Sequence, residues 1–410
     1  MADSKELLYS PKANSAFLVP SKAGAGLIAR GSKEAASLLL RKKDLLCIAA
    51  VKLDGKWGYI DKVGEFIVEP QFEQAFPFSG GFAAVRSGEK WAFIDTSGQR
   101  AFSTDFDDCA PFSEGLAGVK VGTKWGFIDE GGKQVVRPQF SNVKRFSGGI
   151  SGVEILAAGR RKWGFIDKTG TFIADAQFDQ VEEFSEGLCA VKLEDRWGFI
   201  DRSGGFAVQP TLTYTFGYFS EGLADATDER RSGYIDRNGD FLITMEHEDS
   251  DIFRSGLAGI QINGKWGFID NSGIMVIAPQ FEKTTRFNYG LAGAMLVEKW
   301  GYIDGTGKYV IDLQFEDVDS LNGFRYGLTS VKFEGKWGFI DMTGRYVIAP
   351  RFDYSEFDLI NGFRCGLVAV RIEGNWGYLD STGNQFITPQ FEDALAFTEA
   401  EAPSISDDWI

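Results

Sequence analysis

The feature that most constrains this chain is a short phrase, Trp-Gly followed by an aromatic, an aliphatic residue and Asp, which returns at near-constant spacing. Trp stands at 57, 91, 125, 163, 197, 266, 300, 337 and 376. The double-length gap after Trp197 is filled by Ser232-Gly233-Tyr234-Ile235-Asp236, which makes ten units of about 34 residues. A unit this small cannot bury its own apolar face, so neighbours must stack to create a core.

Three runs in each unit read as strands, because they are short, rich in β-branched and aromatic residues and bounded by turn residues. One follows a Gly, as in Gly115-Leu-Ala-Gly-Val-Lys120. The second carries the Trp, as in Trp125-Gly-Phe-Ile-Asp129. The third ends on an aromatic, as in Phe66-Ile-Val-Glu-Pro-Gln-Phe72. Fifteen residues separate the Trp position from the closing Phe position in all ten units, with Leu212 and His247 replacing Phe in two. Every unit also has Asp-x-x-Gly after the Trp strand, from Asp61/Gly64 to Asp380/Gly383. Each Asp comes alone at a fixed turn position, so it reads as a turn cap accepting backbone N–H groups and not as a metal or acid–base residue. Each Trp is expected to fill the core between neighbouring units. The competing reading is a ladder of exposed rings that stack on sugars.

The recurring Lys-Trp-Gly-Phe-Ile-Asp-x-x-Gly, the Pro-Gln-Phe and the Phe-Ser-x-Gly-Leu-Ala resemble the WG-repeat (KWG-type) family over about residues 45–397. The resemblance implies an all-β repeat module that serves as an interaction element, and it lends no catalytic residues. The second unit departs from it with Ala92 in place of Gly, and the sixth with Ser232 and His247.

Two assemblies fit an all-β array of ten antiparallel meander repeats. Propeller blades need about 40 residues for four strands, so the expectation is an open, curved solenoid or superhelical array rather than a closed propeller-like ring. The ends bear on the choice: Leu45–Leu53 matches the first strand of a unit, and the last unit lacks that strand, an offset a ring could use to close. Residues 1–44 form a basic segment, with eight Lys/Arg against four Asp/Glu. They read as a cap on the array or as a targeting segment. Repeats follow over 45–397, and an acidic tail over 398–410.

The formal net charge is −15. An acidic body without a basic stripe disfavours nucleic acid. No stretch approaches the ~20 apolar residues of a membrane span, and no secretory signal pattern opens the chain. Cys47, Cys109, Cys189 and Cys365 form no C-x-x-C pair and read as reduced residues of a cytoplasmic protein, with an organellar transit peptide as the weaker alternative. His247 is the only histidine; without a nucleophile elbow or phosphate loop beside it, no catalytic, metal or cofactor site is assigned. The expectation is a non-enzymatic scaffold that binds another, basic, protein through an extended acidic surface. The alternative is a lectin-like module that binds glycan or cell-wall material through aromatic ladders. Interaction loops are sought where the repeat breaks: between Asp317 and Asn322, between Asp353 and Asn361, at Arg160 and Arg161 in the four-residue insertion, and at Arg230, Arg231 and His247 in the sixth unit.

Overall fold

The computed structural model describes residues 47–157, 159–320, 323–352 and 363–400, and every regular element among them is a β-strand. The third repeat shows how a unit is built. Its central hairpin pairs Leu116–Val121 with Lys124–Asp129. Gly122 takes φ of 61° in the tight connection, where a left-handed residue matches the twist of the strands. The chain then turns on Asp129. Its Oδ1 accepts the N–H of Gly131 at 3.0 Å and of Lys133 at 2.9 Å, and the N–H of Gly132 donates to its carbonyl at 2.9 Å. The same carboxylate bracket holds Asp61, Asp95, Asp167, Asp201, Asp236, Asp270, Asp304, Asp341 and Asp380, so these aspartates are turn caps.

The turn delivers an outer strand, Gln134–Phe140. Phe127 pairs with Val136 and Trp125 with Phe140, so a two-residue step on one strand faces a four-residue step on the other. The outer strand therefore bulges across Gly126. A Cβ there would lie 2.4 Å from the Val136 carbonyl oxygen and 2.7 Å from the Pro138 nitrogen. The two halves of the dipeptide thus have separate tasks: Gly admits the bulge, and Trp closes it against the Phe fifteen residues on.

A fourth strand escapes the sequence reading. Asp108–Cys109 is two residues long and pairs with Lys120 and Val119 at the free edge of the hairpin. Equivalent stubs complete the sheets that contain Asn142–Val143, Gln180–Val181, Asp249–Ser250, Lys283–Thr284 and Asp317–Val318. Because one strand is so short, about 34 residues suffice for a four-stranded blade.

This corrects the expectation of an open solenoid. Ten sheets are stacked through ten apolar clusters, one per junction. Alternation sends Phe127 into the junction with the fourth blade and Ile128 back into the junction with the second. The last cluster joins Leu367, Trp376, Tyr378 and Phe391 of blade ten to Ala49, Val51 and Ile60 of blade one, closing a ring. Blade one (Cys47–Leu53, Lys56–Ile60 and Phe66–Phe72) receives its short strand, Asp393–Ala394, from the far end of the chain. Thr398–Glu399 pairs with Ile48 and Cys47 beside it. The offset between the chain ends is how the ring closes.

Antiparallel order puts alternate connections at opposite ends of every blade. One face of the ring carries the Phe-Ser-x-Gly and Asp-x-x-Gly turns. The other carries the tight hairpins and the blade-to-blade connectors. On that hairpin face the acid after the closing Phe caps the next hairpin: Asp107 accepts from Gly122 N at 2.6 Å and also holds Lys90 of the preceding blade at 2.5 Å.

Cys47 and Cys365 are disulfide-bonded, with Cα atoms 6.2 Å apart across a sequence separation of 318. The reading of all four cysteines as reduced fails for this pair, because ring closure brings together two residues that the sequence keeps far apart. Cys109 and Cys189 are free and buried. The basic segment over 1–44 and the tail beyond 400 lie outside the described residues.

Candidate functional site on the sixth blade

Blade six is where the repeat breaks most. Leu212 and Phe219 are seven residues apart, whereas Phe178 and Phe184 are six apart. The extra residue, Gly217, has φ of 87°. The stub strand is reduced here to one pairing, Tyr214 with Thr227. Tyr214, Phe216 and Tyr218 alternate with Thr215 and Gly217 and are 48%, 38% and 40% exposed, a patch of rings without a second example among the described residues. Tyr214 and Phe216 meet edge to face at 5.7 Å.

Behind them is a buried polar group. Asp225 lies on the second strand, Ala224–Thr227, and is 2% exposed. Its Oδ2 accepts the Ser250 hydroxyl at 2.6 Å and faces His247 Nε2 at 3.6 Å. Its Oδ1 has no hydrogen-bond partner among the described residues. His247 Nδ1 lies 3.1 Å from the Met245 carbonyl oxygen. The Asp225 carboxylate, with the Met245 carbonyl adding to it, raises the imidazole above the ordinary histidine value against the opposing effect of burial. Ser250 and His247 both address Asp225, and neither addresses the other. That is not the order of contacts in a Ser–His–Asp relay, where His must hold the hydroxyl.

The hairpin of this blade is rich in arginine. Asp228 accepts the backbone N–H groups of Arg230 at 2.8 Å and Arg231 at 2.7 Å, and it takes the Arg231 guanidinium through Nε and Nη2. The backbone bond from Arg230 is the largest cause that holds its carboxyl below the usual range. Arg231 also lies over the Phe241 ring at 4.3 Å. Arg196, from the hairpin of blade five, bonds Glu229 at 2.6 Å. Arg230 makes no ion pair among the described residues. A groove of about 470 Å³ runs between Arg196, Pro210, Thr211 and the Asp228–Arg231 turn. A second, of about 530 Å³, lies on the other side of that turn against Thr244, Met245 and Glu246.

The structure therefore brings Arg230 and Arg231 to the chain segment that carries His247. Arg160 and Arg161 belong to the same face two blades earlier, on a hairpin lengthened to Ile150–Ala157 and Arg160–Asp167. There Arg161 lies 3.5 Å from Glu154. Asp317 is different: it opens the stub strand of blade nine and caps the N–H of Val318 at 2.9 Å. Asn322, Asp353 and Asn361 lie outside the described residues. Sequence reasoning missed Asp225, Ser250, Arg196 and the aromatic patch; the one-residue lengthening at Gly217 is the signal that points to them. Among the described residues no group of His, Cys, Asp and Glu is arranged to hold a metal, and no helix is long and apolar enough to cross a membrane. None of the Trp rings at repeat positions is exposed; Trp91, Trp300, Trp337 and Trp376 are buried and the rest half-buried.

Ten sheets stacked around one ring define a ten-bladed β-propeller. The model of the WG containing repeat matches ten consecutive segments, 57–91, 91–125, 125–155, 163–197, 197–227, 233–266, 266–299, 300–337, 337–376 and 376–400, and the chain belongs to that family. Among solved structures it is similar to a eukaryotic initiation factor at 12% identity, with 73% of this chain and 94% of that one covered and a TM-score of 0.44. It is also similar to apo AztD from Citrobacter koseri at 14% identity, with 64% and 93% covered and a TM-score of 0.31. A chain of a mitotic checkpoint complex matches at 8% identity, with 57% and 95% covered and a TM-score of 0.28. No curated protein sequence matches the chain.

Proposed function

We propose that this propeller is a non-catalytic scaffold that docks another protein on the hairpin face of blades four to six. The observation that carries the reading is the arginine-lined groove at the blade five–six junction, built where the repeat departs from its own rule. Arg196 and Arg231 stand at the basic position before the Trp site, but they pair with Glu229 and Asp228 of the sixth hairpin instead of the acid after the closing Phe that Lys90 and Lys162 hold. Arg230 occupies a position where the repeat keeps no fixed residue. The ring's net negative charge favours a partner of net positive charge at long range. At contact, the Arg230 guanidinium, which makes no ion pair among the described residues, suits a carboxylate on that partner, with the paired Arg196 and Arg231 beside it.

Affinity capture with the full chain and with R196A/R230A/R231A, at about 50 and 300 mM salt, tests this. The expected result is a protein retained at low salt by the unaltered chain, released at high salt, and absent with the triple variant. A protein held equally by both chains would move the docking surface elsewhere. No protein held by the unaltered chain at low salt would overturn the scaffold reading.

A further inference from the structure

The Phe-Ser-x-Gly turns do more than reverse the chain. In each, the x residue has a left-handed backbone, and where x is Glu its carboxylate reaches the next blade. Glu114 of blade three accepts from Gly148 N at 2.5 Å and Gly149 N at 2.8 Å in blade four. Glu186 of blade five accepts from Glu221 N at 2.8 Å and Gly222 N at 3.0 Å in blade six. Glu221 in turn accepts from Gly256 N of blade seven at 2.9 Å. The x position of one blade is thus tied to the Gly position of the next.

At the seam the same two positions are cysteines. Cys365 is the x residue of blade ten, in Phe363-Arg364-Cys365-Gly366, and Cys47 stands where blade one would have its Gly. Blade one has no continuous turn at this place. Its two halves come from opposite ends of the chain, Cys47–Ile48 on one side and Thr398–Glu399 on the other. Elsewhere a peptide link carries the blade across this point; here the joint is held by the disulfide, by a few strand pairings and by apolar packing.

We propose that the Cys47–Cys365 disulfide is a redox-set clasp that takes the place of the carboxylate tie at the one junction the chain leaves open. A cavity of about 490 Å³ is lined by Tyr326, Arg364, Cys365, Phe397 and Thr398, and Cys365 is half-buried where Cys47 is buried, so the Cys365 side is the one a thiolate reductant would approach. A dithiol attacks that sulfur, and the Cys47 sulfur leaves as a thiolate. The second thiol of the reductant then displaces Cys365, so two electrons and two protons end on the two cysteines. Closure is the reverse, with a low-molecular-weight disulfide taking up the two electrons. Cys109 and Cys189 do not join in: burial pushes both thiols up, Cys189 to about 12. The chain would be a locked ring in an oxidising compartment and a ring with a weak seam in a reducing one.

The test is made on the full chain equilibrated in glutathione buffers of oxidising and reducing poise. Peptide mapping under non-reducing conditions should find a Cys47–Cys365 cross-linked peptide in the first and free thiols in the second. Amides of 47–53 and 393–399 should exchange roughly tenfold faster on reduction, and the thermal midpoint should fall by about 5 °C. In C47S/C365S neither quantity should respond to reductant. The variant C47G/C365E rebuilds the carboxylate tie used elsewhere and keeps the test open if the serine variant folds poorly; its seam should exchange slowly at either poise. Free thiols at both positions under oxidising poise would overturn the clasp. So would a response to reductant that survives in either double variant.

Discussion

Blades two and six each lose one half of the Trp-Gly pair, and the losses have different consequences. Blade two keeps Trp91, buried and stacked on Phe76 at 5.2 Å, but has Ala92 for Gly. Its outer strand is reduced to two single pairings, Trp91 with Phe106 and Ile94 with Arg100. Between them the Ala101 N–H still donates to the Phe93 carbonyl at 2.8 Å, and Arg100 Nε bonds the Phe102 carbonyl at 2.7 Å. Blade six keeps Gly233 but has Ser232 for Trp. Its outer strand pairs without the wide step, Gly233 with Thr244 and Tyr234 with Ile243, and then stops at Thr244. Without Gly the strand loses its continuous pairing and rejoins only at Trp91; without Trp it runs straight past Gly233 and ends on one bond, from Met245 N to the Ser232 carbonyl at 3.0 Å.

That division of labour can be broken in a regular blade. Trp300 is 6% exposed and pairs with the fully buried Phe315. Trp300→Ser should cost about 4 kcal/mol in denaturant unfolding, by deletion of a buried ring. It should also free the closing end of Tyr309–Phe315 to exchange amide hydrogen. A stable variant with an unchanged outer strand would show that Trp is filler only. Gly126→Ala should cost somewhat less, about 3 kcal/mol, because the bulge at Val136–Pro138 must lift off the new methyl. Exchange confined to 134–140 would reproduce blade two; no change in exchange there would break the comparison.

A pH test separates the two irregular blades. His247 occupies the closing-Phe position of blade six and pairs with Asp225. Its folded-state value is raised, so the stability it contributes is fully present below about pH 6.5, the ordinary histidine value, and is lost as pH rises through the folded value. Once the base-catalysed rise common to all amides is divided out, the protection of 241–247 should therefore fall between about pH 5 and pH 8 while that of blade two stays constant. His247→Phe should abolish the difference. An imidazole that titrates below the ordinary value, read by NMR on the chain's single histidine, would contradict the pairing.

The smallest effect concerns a feature both blades retain. The Thr306 hydroxyl is the main cause that holds the Asp304 carboxyl below the usual range, with the backbone N–H groups of Thr306 and Lys308 adding to it. The contribution of a depressed carboxylate is present above about pH 4 and fades as pH falls through the folded value. Thr306→Val should shift that titration upward, toward the ordinary value, with little change in stability at pH 7. NMR titration of the Asp304 side chain reads the shift.

What the sequence displayed and what it concealed follow from how each feature is encoded. The period, the Asp-x-x-Gly caps and the Trp–Phe span were legible because each needs a particular side chain at a fixed position. The stub strands were not. Gln74–Ala75, Asp108–Cys109 and Asn142–Val143 share no residue type, since two backbone pairings suffice to form them. With that strand invisible, a 34-residue unit looked too short for a blade and the ring looked open. Of the site, Arg230, Arg231 and His247 were visible as breaks in the pattern. Asp225 and Ser250 occupy strand positions that look ordinary along the chain, and only the fold shows that they meet.

The split construction of blade one also sets an order of events during synthesis. The strand Cys47–Leu53 leaves the ribosome among the first parts of the ring, yet the segments that cover its edge, Asp393–Ala394 and Thr398–Glu399, are among the last. Throughout translation that strand presents unpaired N–H and C=O groups, an edge on which another nascent copy could pair. A stop codon anywhere before residue 393 would leave that edge permanently open, however well the preceding blades had folded.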